Sequence, residues 1–268
     1  MPPRLSSVEL DELAFAARCL EGGGFAARIA ERLGRGVESI GRNLPAPLRR
    51  LGARAAERAL SAALAVALKT IDHAAPAQSA RGAHKVAAAV SGAIGGAFGL
   101  VATAVELPVS TAILMRSIAQ IAREEGEDTA QPAGALACLE VFALSGEPGE
   151  TAIEGSYFAV RAALARSVAE SARFLAGQGF ATEGAPLIAR LIAQIAARFG
   201  LVAGEKFAAQ AVPVVGAIGG AAVNLAFAEH FQTLARGHFI IRRLERRHGP
   251  ELVRFEFRRL QGEAAQAS

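Results

Sequence analysis

Tryptophan is absent from this 268-residue chain, tyrosine occurs once and cysteine twice. Cys19 and Cys138 lie far apart with no histidine at ligand spacing around them, which excludes a disulfide framework and a zinc site built on cysteines. Aspartate is nearly as scarce. Asp11, Asp72 and Asp128 are the whole supply, so an aspartate-rich metal site is excluded too. The HExxH, GxSxG, P-loop, dinucleotide-fingerprint and EF-hand patterns are all missing, and no cofactor is expected. The opening MPPRLSSVELDELAF lacks the basic start, apolar run and small-residue cleavage site of a secretory signal, so a reducing, cytoplasmic setting is the expectation.

What the chain has in quantity is alanine. Hydrophobic residues make up 52% and charged residues 20%, with few aromatics among them. Alanine is the strongest helix former and is depleted in strands, so the composition predicts an all-α, multi-helix bundle. The length suffices to bury a sizeable core. Net charge is +4, unevenly placed: Arg236 to Arg259 holds eight arginines against Glu245, Glu251 and Glu256, and the remainder is close to neutral.

Turn and cap signals divide the chain. An amphipathic stretch from Ser7, a candidate N-cap, to Leu33 is interrupted at Gly22-Gly23-Gly24. Asn43-Leu-Pro45-Ala-Pro47 then separates an N-terminal helical arm, residues 1–43, from a main helical domain, residues 44–260. A disordered tail is expected over 261–268. Helices are predicted near 48–71, 110–125, 133–145, 151–177 and 185–200.

Two segments stand out. Val86 to Val105 is twenty residues without a charge, and Phe207 to Ala228 is twenty-two. Gly92-Ala-Ile-Gly-Gly-Ala97 and Gly216-Ala-Ile-Gly-Gly-Ala221 are identical within them, and Glu106 and His230 each lie fourteen residues beyond the first glycine. The units close on Gly126 and Gly249, spans of 34 and 33 residues. This pattern predicts two pseudo-repeated, glycine-rich apolar hairpins. Gly92 and Gly96, like Gly216 and Gly220, are four apart and share a helix face, where small residues let helices approach closely. Each run is long enough to cross a bilayer, but the alanine content and the interruptions Gln210, Pro213 and Asn224 favour core helices or a hairpin that touches a membrane.

The C-terminal segment HFIIRRLERRHGPELVRFEFRR interleaves arginine with large apolar residues, as an interfacial helix does. Arg236, Arg242, Arg243, Arg246 and Arg247 are therefore candidates to meet an anionic membrane surface or lipid. No nucleic-acid motif accompanies them. If the hairpins pack as partners, Glu106 and His230 meet at their shared end, as an acid/base pair or, with Glu229 and His238, a metal site. The structural alternative has these groups pairing with Arg116 or Arg242. Glu140, Tyr157 and Arg161 stand within apolar helices, and a Glu–Arg pair bonded to the Tyr hydroxyl would satisfy them.

An ordered series of short motifs resembles the EcsC family of bacterial helical proteins. It runs from Glu106-Leu-Pro108 through Leu114-Met-Arg116, Gly126-Glu-Asp128, Glu140-Val-Phe142 and Tyr157-Phe-Ala-Val-Arg161. It continues with Val212-Pro-Val-Val-Gly-Ala-Ile-Gly-Gly220, Asn224, His230-Phe and Ala235-Arg-Gly-His-Phe239, and closes on Arg243-Leu-Glu-Arg-Arg-His-Gly249. The resemblance spans roughly residues 40 to 257. Glu106 stands where Asp is common, and Ser156 where Gly is frequent. Founding members are encoded beside an ABC transporter, and the resemblance brings no catalytic residue set.

The leading expectation is thus a non-enzymatic accessory protein that associates with a membrane or binds a lipid or apolar ligand, peripheral at the inner face of the cytoplasmic membrane. The alternatives are a metal-assisted hydrolase centred on Glu106, Glu229, His230 and His238, and a soluble scaffold for a protein partner.

Overall fold

The structure, a computed structural model, describes residues 4–22, 24–25, 46–70, 100–145, 157–178, 186–210 and 216–266. Among them every regular element is helical: α1 (Ser7–Glu21), α2 (Ala46–Thr70), α3 (Leu100–Glu124), α4 (Pro132–Glu140) with a 3₁₀ turn (Val141–Ser145), α5 (Tyr157–Gln178), α6 (Pro186–Gln210), α7 (Gly216–His248) and α8 (Pro250–Gln266). The all-α bundle is what the composition predicts.

Local chemistry sets most helix ends. Ser6, one residue before the expected cap, accepts from the Glu9 amide while the Glu9 carboxylate accepts from the Ser6 amide, a reciprocal capping box. Proline opens α4, α6 and α8, where its missing N–H costs nothing. Helices α3 and α7 stop before Gly126 and Gly249, whose φ angles of 74° and 88° suit glycine alone. Both units of the suspected repeat therefore end on a left-handed glycine.

Their interiors differ from a hairpin. Helix α3 runs unbroken through Glu106-Leu-Pro108, although the helix predicted from the sequence begins only near residue 110. A proline inside a helix removes one hydrogen bond and crowds the preceding turn. Here the neighbouring Leu107 is fully buried and Glu106 is anchored across the core, so packing holds the turn together. Helix α7 is continuous for 33 residues from the second hexapeptide to His248, so that unit is one long helix. The second uncharged run is not a single helix: Phe207–Gln210 closes α6 and Gly216 opens α7. Gly92 and Gly96, with the first hexapeptide, lie outside the described residues. Helix α8 continues to Gln266, into the stretch expected to be a disordered tail.

Helix α7 is the axis, with α1, α3, α6, α8 and the 3₁₀ turn packed around it. Phe227 and Phe231 project from it into a chain of edge-to-face and tilted rings that also takes in Phe25, Phe142 and Phe199, with centroids 4.9–6.0 Å apart. On the other side of α6 and α3 lies α2. Helices α2 and α6 touch backbone to backbone: a Cβ on Gly52 would sit 2.6 Å from the Gly200 carbonyl oxygen, with Gly204 at 3.1 Å. This Gly200-x-x-x-Gly204 stripe is the close-packing face that the structure displays. A smaller apolar cluster seats α1, with Leu13 and Ala16 against Ile241, Leu244, Val253 and Phe257.

Candidate functional site

Glu106 is the first charge after one uncharged run, and Lys206 the last charge before the other. The fold brings them together. Lys206 Nζ lies 2.8 Å from Glu106 Oε2, with the lysine fully buried and the carboxylate 7% exposed. The ammonium also reaches Ser110 Oγ at 3.4 Å and stands 4.6 Å over the Phe227 ring. Asn224 donates to Glu106 Oε1 at 3.0 Å, and Gln210 donates to Asn224 Oδ1 at 3.5 Å. The two amides that interrupt the second run thus serve one network with the charges that bound both runs. Burial holds the Lys206 ammonium below the usual lysine range, against the opposing pull of Glu106.

A second network joins α5, α7 and the α3–α4 turn. Arg161 donates to both carboxylate oxygens of Glu245 at 2.9 Å and to the Tyr157 hydroxyl at 3.2 Å. That hydroxyl lies 3.0 Å from His238 Nδ1. Which of the two groups donates follows from the imidazole tautomer. Burial, then the Arg161 and Arg242 cations, keep His238 neutral, well below the usual histidine range. Arg242 makes a fork to Glu127 at 2.6 and 3.0 Å, and Arg246 joins it on the same carboxylate. Glu140 sits close by on α4, where burial pushes its carboxyl up to about 7. The expected trio of Glu140, Tyr157 and Arg161 is therefore half right: Arg161 meets the Tyr hydroxyl, but its carboxylate partner is Glu245.

Residues 45–244 match the EcsC protein family. The chain belongs to that family. The matched segment holds Glu106, Ser110, Lys206, Gln210 and Asn224, so the whole first network is part of the EcsC unit, whereas α1, α8 and Glu245–His248 lie outside it. No curated protein and no solved structure matches this EcsC-family chain.

The remaining sequence candidates fall as follows. Glu106 contacts α7 at Asn224, six residues before His230 and about 9 Å along the helix from it. His230 packs against the rings of Phe25 and Phe231 instead. His238 is a further two turns on, about 12 Å away, and Glu229, next to His230, is half-buried. Among the described residues no three His, Cys, Asp or Glu side chains come together as a metal site. Neither Arg116 nor Arg242 pairs with Glu106; Arg116 is exposed and Arg242 is taken by Glu127. Four of the five arginines considered for a membrane surface pair with carboxylates of the same chain, although Arg246 and Arg247 stay exposed. Besides Arg242 and Arg246, Arg243 meets Glu12 and Glu125 at 3.1 and 2.8 Å, and Arg247 meets Glu9 at 3.1 Å. Arg236 is half-buried, Gly220 is buried, and Gly216 is the first residue of α7.

Lys206 escaped the sequence reading, though a signal was there: it is the charge at the border of an uncharged run, as Glu106 is. Two surface grooves among the described residues, one around Phe174 and Leu187 and one around Ala62, Pro108, Val109 and Ile113, include no member of either network.

Proposed function

We propose that this EcsC-family chain is a non-enzymatic accessory protein that works at a membrane surface, or on an apolar ligand, from the cytoplasmic side. One observation carries the reading. The Glu106–Lys206 pair ties together the borders of the two long uncharged runs, and Glu106 also accepts from Asn224, which in turn accepts from Gln210. Polar groups in apolar helices are tolerated next to lipid when they pair with one another. Apolar side chains stand exposed near both charges: Val109, three residues after Glu106, is 54% exposed, and Leu201, five before Lys206, is 47% exposed. Helix α6 is long and apolar enough to cross a bilayer by length and composition, and 44% of its apolar window is buried, a mixed profile that suits a helix with one face free. Since the arginines of α7 largely serve carboxylates of the same chain, attraction to the membrane is mainly apolar in this reading.

Flotation of the purified protein with neutral and anionic vesicles, at low and high salt, tests it. Binding to both kinds of vesicle that survives high salt, and that Val109→Glu with Leu201→Glu removes, is the expected result. Failure to float under every condition would overturn the proposal.

A further inference from the structure

Helix α1 precedes the EcsC unit and lies across the basic end of α7. Its two inward acids are spent there. Glu9 Oε1 is 2.7 Å from His248 Nε2 and 3.1 Å from Arg247, and Glu12 is 3.1 Å from Arg243. Beneath the acids, Leu13, Ala16 and Ala17 cover Ile240, Ile241 and Leu244. Gly237 makes the close seating possible, since a Cβ there would come within 2.9 Å of the Ala16 carbonyl oxygen. Directly after α1 come Gly22, Gly23 and Gly24, and then Phe25, which is 1% exposed and packs edge-on against Phe227 at 5.4 Å. The chain is thus pinned to the core at Phe25, just past the end of α1 at Gly22, so α1 is a flap anchored at its C-terminal end.

We propose that Arg243, Arg247 and His248 form a latent binding surface for anionic phospholipid headgroups, which the carboxylates of Glu9 and Glu12 occupy until α1 swings aside about its C-terminal end at Gly22. The intramolecular occupants define the ligand chemistry: carboxylates hold the place of headgroup anions. Lifting α1 uncovers arginines together with Ile240, Ile241 and Leu244, the mixture of basic and apolar residues that beds a helix in a bilayer interface. Glu125 also holds Arg243 at 2.8 Å, so Arg247 and His248 are the groups released most completely. This inference rests on the membrane reading above and adds a charge-dependent step to it.

The test is flotation of Glu12→Gln and of Glu9→Gln/Glu12→Gln on neutral phosphatidylcholine vesicles and on vesicles containing phosphatidylserine. At low salt the double variant should partition about tenfold more strongly than wild type onto the anionic vesicles, as expected for one or two released charges. Glu12→Gln should show a smaller gain, neutral vesicles no gain, and adding Arg247→Gln should abolish it. Glu12 is a third exposed, so its variant keeps the test available if the double variant does not fold. Anionic binding at the wild-type level by a cooperatively unfolding variant would overturn the proposal, as would an equal gain on neutral vesicles. Wild-type binding to neutral vesicles reports on the apolar reading alone, so the two can fail separately.

Discussion

Lys206 and Glu106 lie 100 residues apart in the chain and 2.8 Å apart in the fold, joined in an interior where the lysine has no solvent exposure at all. Such a pair gains little over an apolar one, because both charges give up their hydration, but each charge is costly once its partner is gone. Lys206→Met and Glu106→Gln should each lower stability by about 3–5 kcal/mol. The combined Lys206→Met/Glu106→Leu variant should recover most of that loss, with Asn224 left as the residual cost. Denaturant unfolding of the three variants measures the coupling. Additive losses would show that the two groups do not act as a pair.

The glycines of the described helices divide into those that backbones need and those they do not. A Cβ on Gly52 would meet the Gly200 carbonyl oxygen at 2.6 Å, so Gly52→Ala should force α2 and α6 apart and destabilise the protein by about 2 kcal/mol or more. Gly262 on α8 has nothing within 4 Å, and Gly262→Ala should stabilise by about 0.5–1 kcal/mol. Opposite shifts in thermal midpoint are the expected outcome. A neutral Gly52→Ala would contradict the close crossing.

Glu140 should give the protein an unusual pH response. Burial raises its carboxyl from 4.5 to about 7 in the fold, so between those values the native state holds a proton that the unfolded chain has lost. This group's contribution to stability is complete below about pH 4.5 and declines as pH rises toward and past 7. Glu140→Gln should therefore flatten the stability profile between pH 5 and pH 8 and be more stable than wild type at pH 8. Urea midpoints at the two pH values decide this.

Glu9 acts in the opposite sense. The Ser6 backbone amide first, then His248, hold its carboxyl down at about 2. Its contribution is complete above about pH 4.5 and fades as pH falls toward 2. Glu9→Gln, which also weakens the capping box, should cost about 1 kcal/mol at pH 7 and almost nothing near pH 2. Thermal unfolding across that range follows the difference.

Much of this architecture can be read without coordinates. Alanine content and apolar periodicity predict an all-α bundle, and glycine and proline mark α2 and the starts of α4 and α6 within a few residues. The end of α1 at Gly22 and the left-handed glycines at 126 and 249 follow from the same signals, because capping is decided by neighbours along the chain. Pro108 does not break α3, since a local signal for ending a helix is overridden there by packing on both sides of it. Helix α6 runs ten residues beyond its predicted end near 200, because the uncharged run that begins at Phe207 holds the end of α6 and the start of α7 with no charge to mark either.

The candidate site divides the same way. Glu106 is conspicuous in sequence, at the border of an uncharged run, and so is the density of arginine from Arg236 onward. Their partners are not conspicuous, because Lys206, Glu127, Glu12 and Glu9 lie from 100 to more than 200 residues away and carry no motif. The sequence alone determined the helical class, the helix caps and the family, all of which depend on residues near one another or on their order. Only the tertiary structure decided that Glu106 belongs to Lys206 rather than His230, and that the α7 arginines face carboxylates of their own chain. Pairings of that kind depend on which helix faces meet, and helix register is set by packing summed over the whole core.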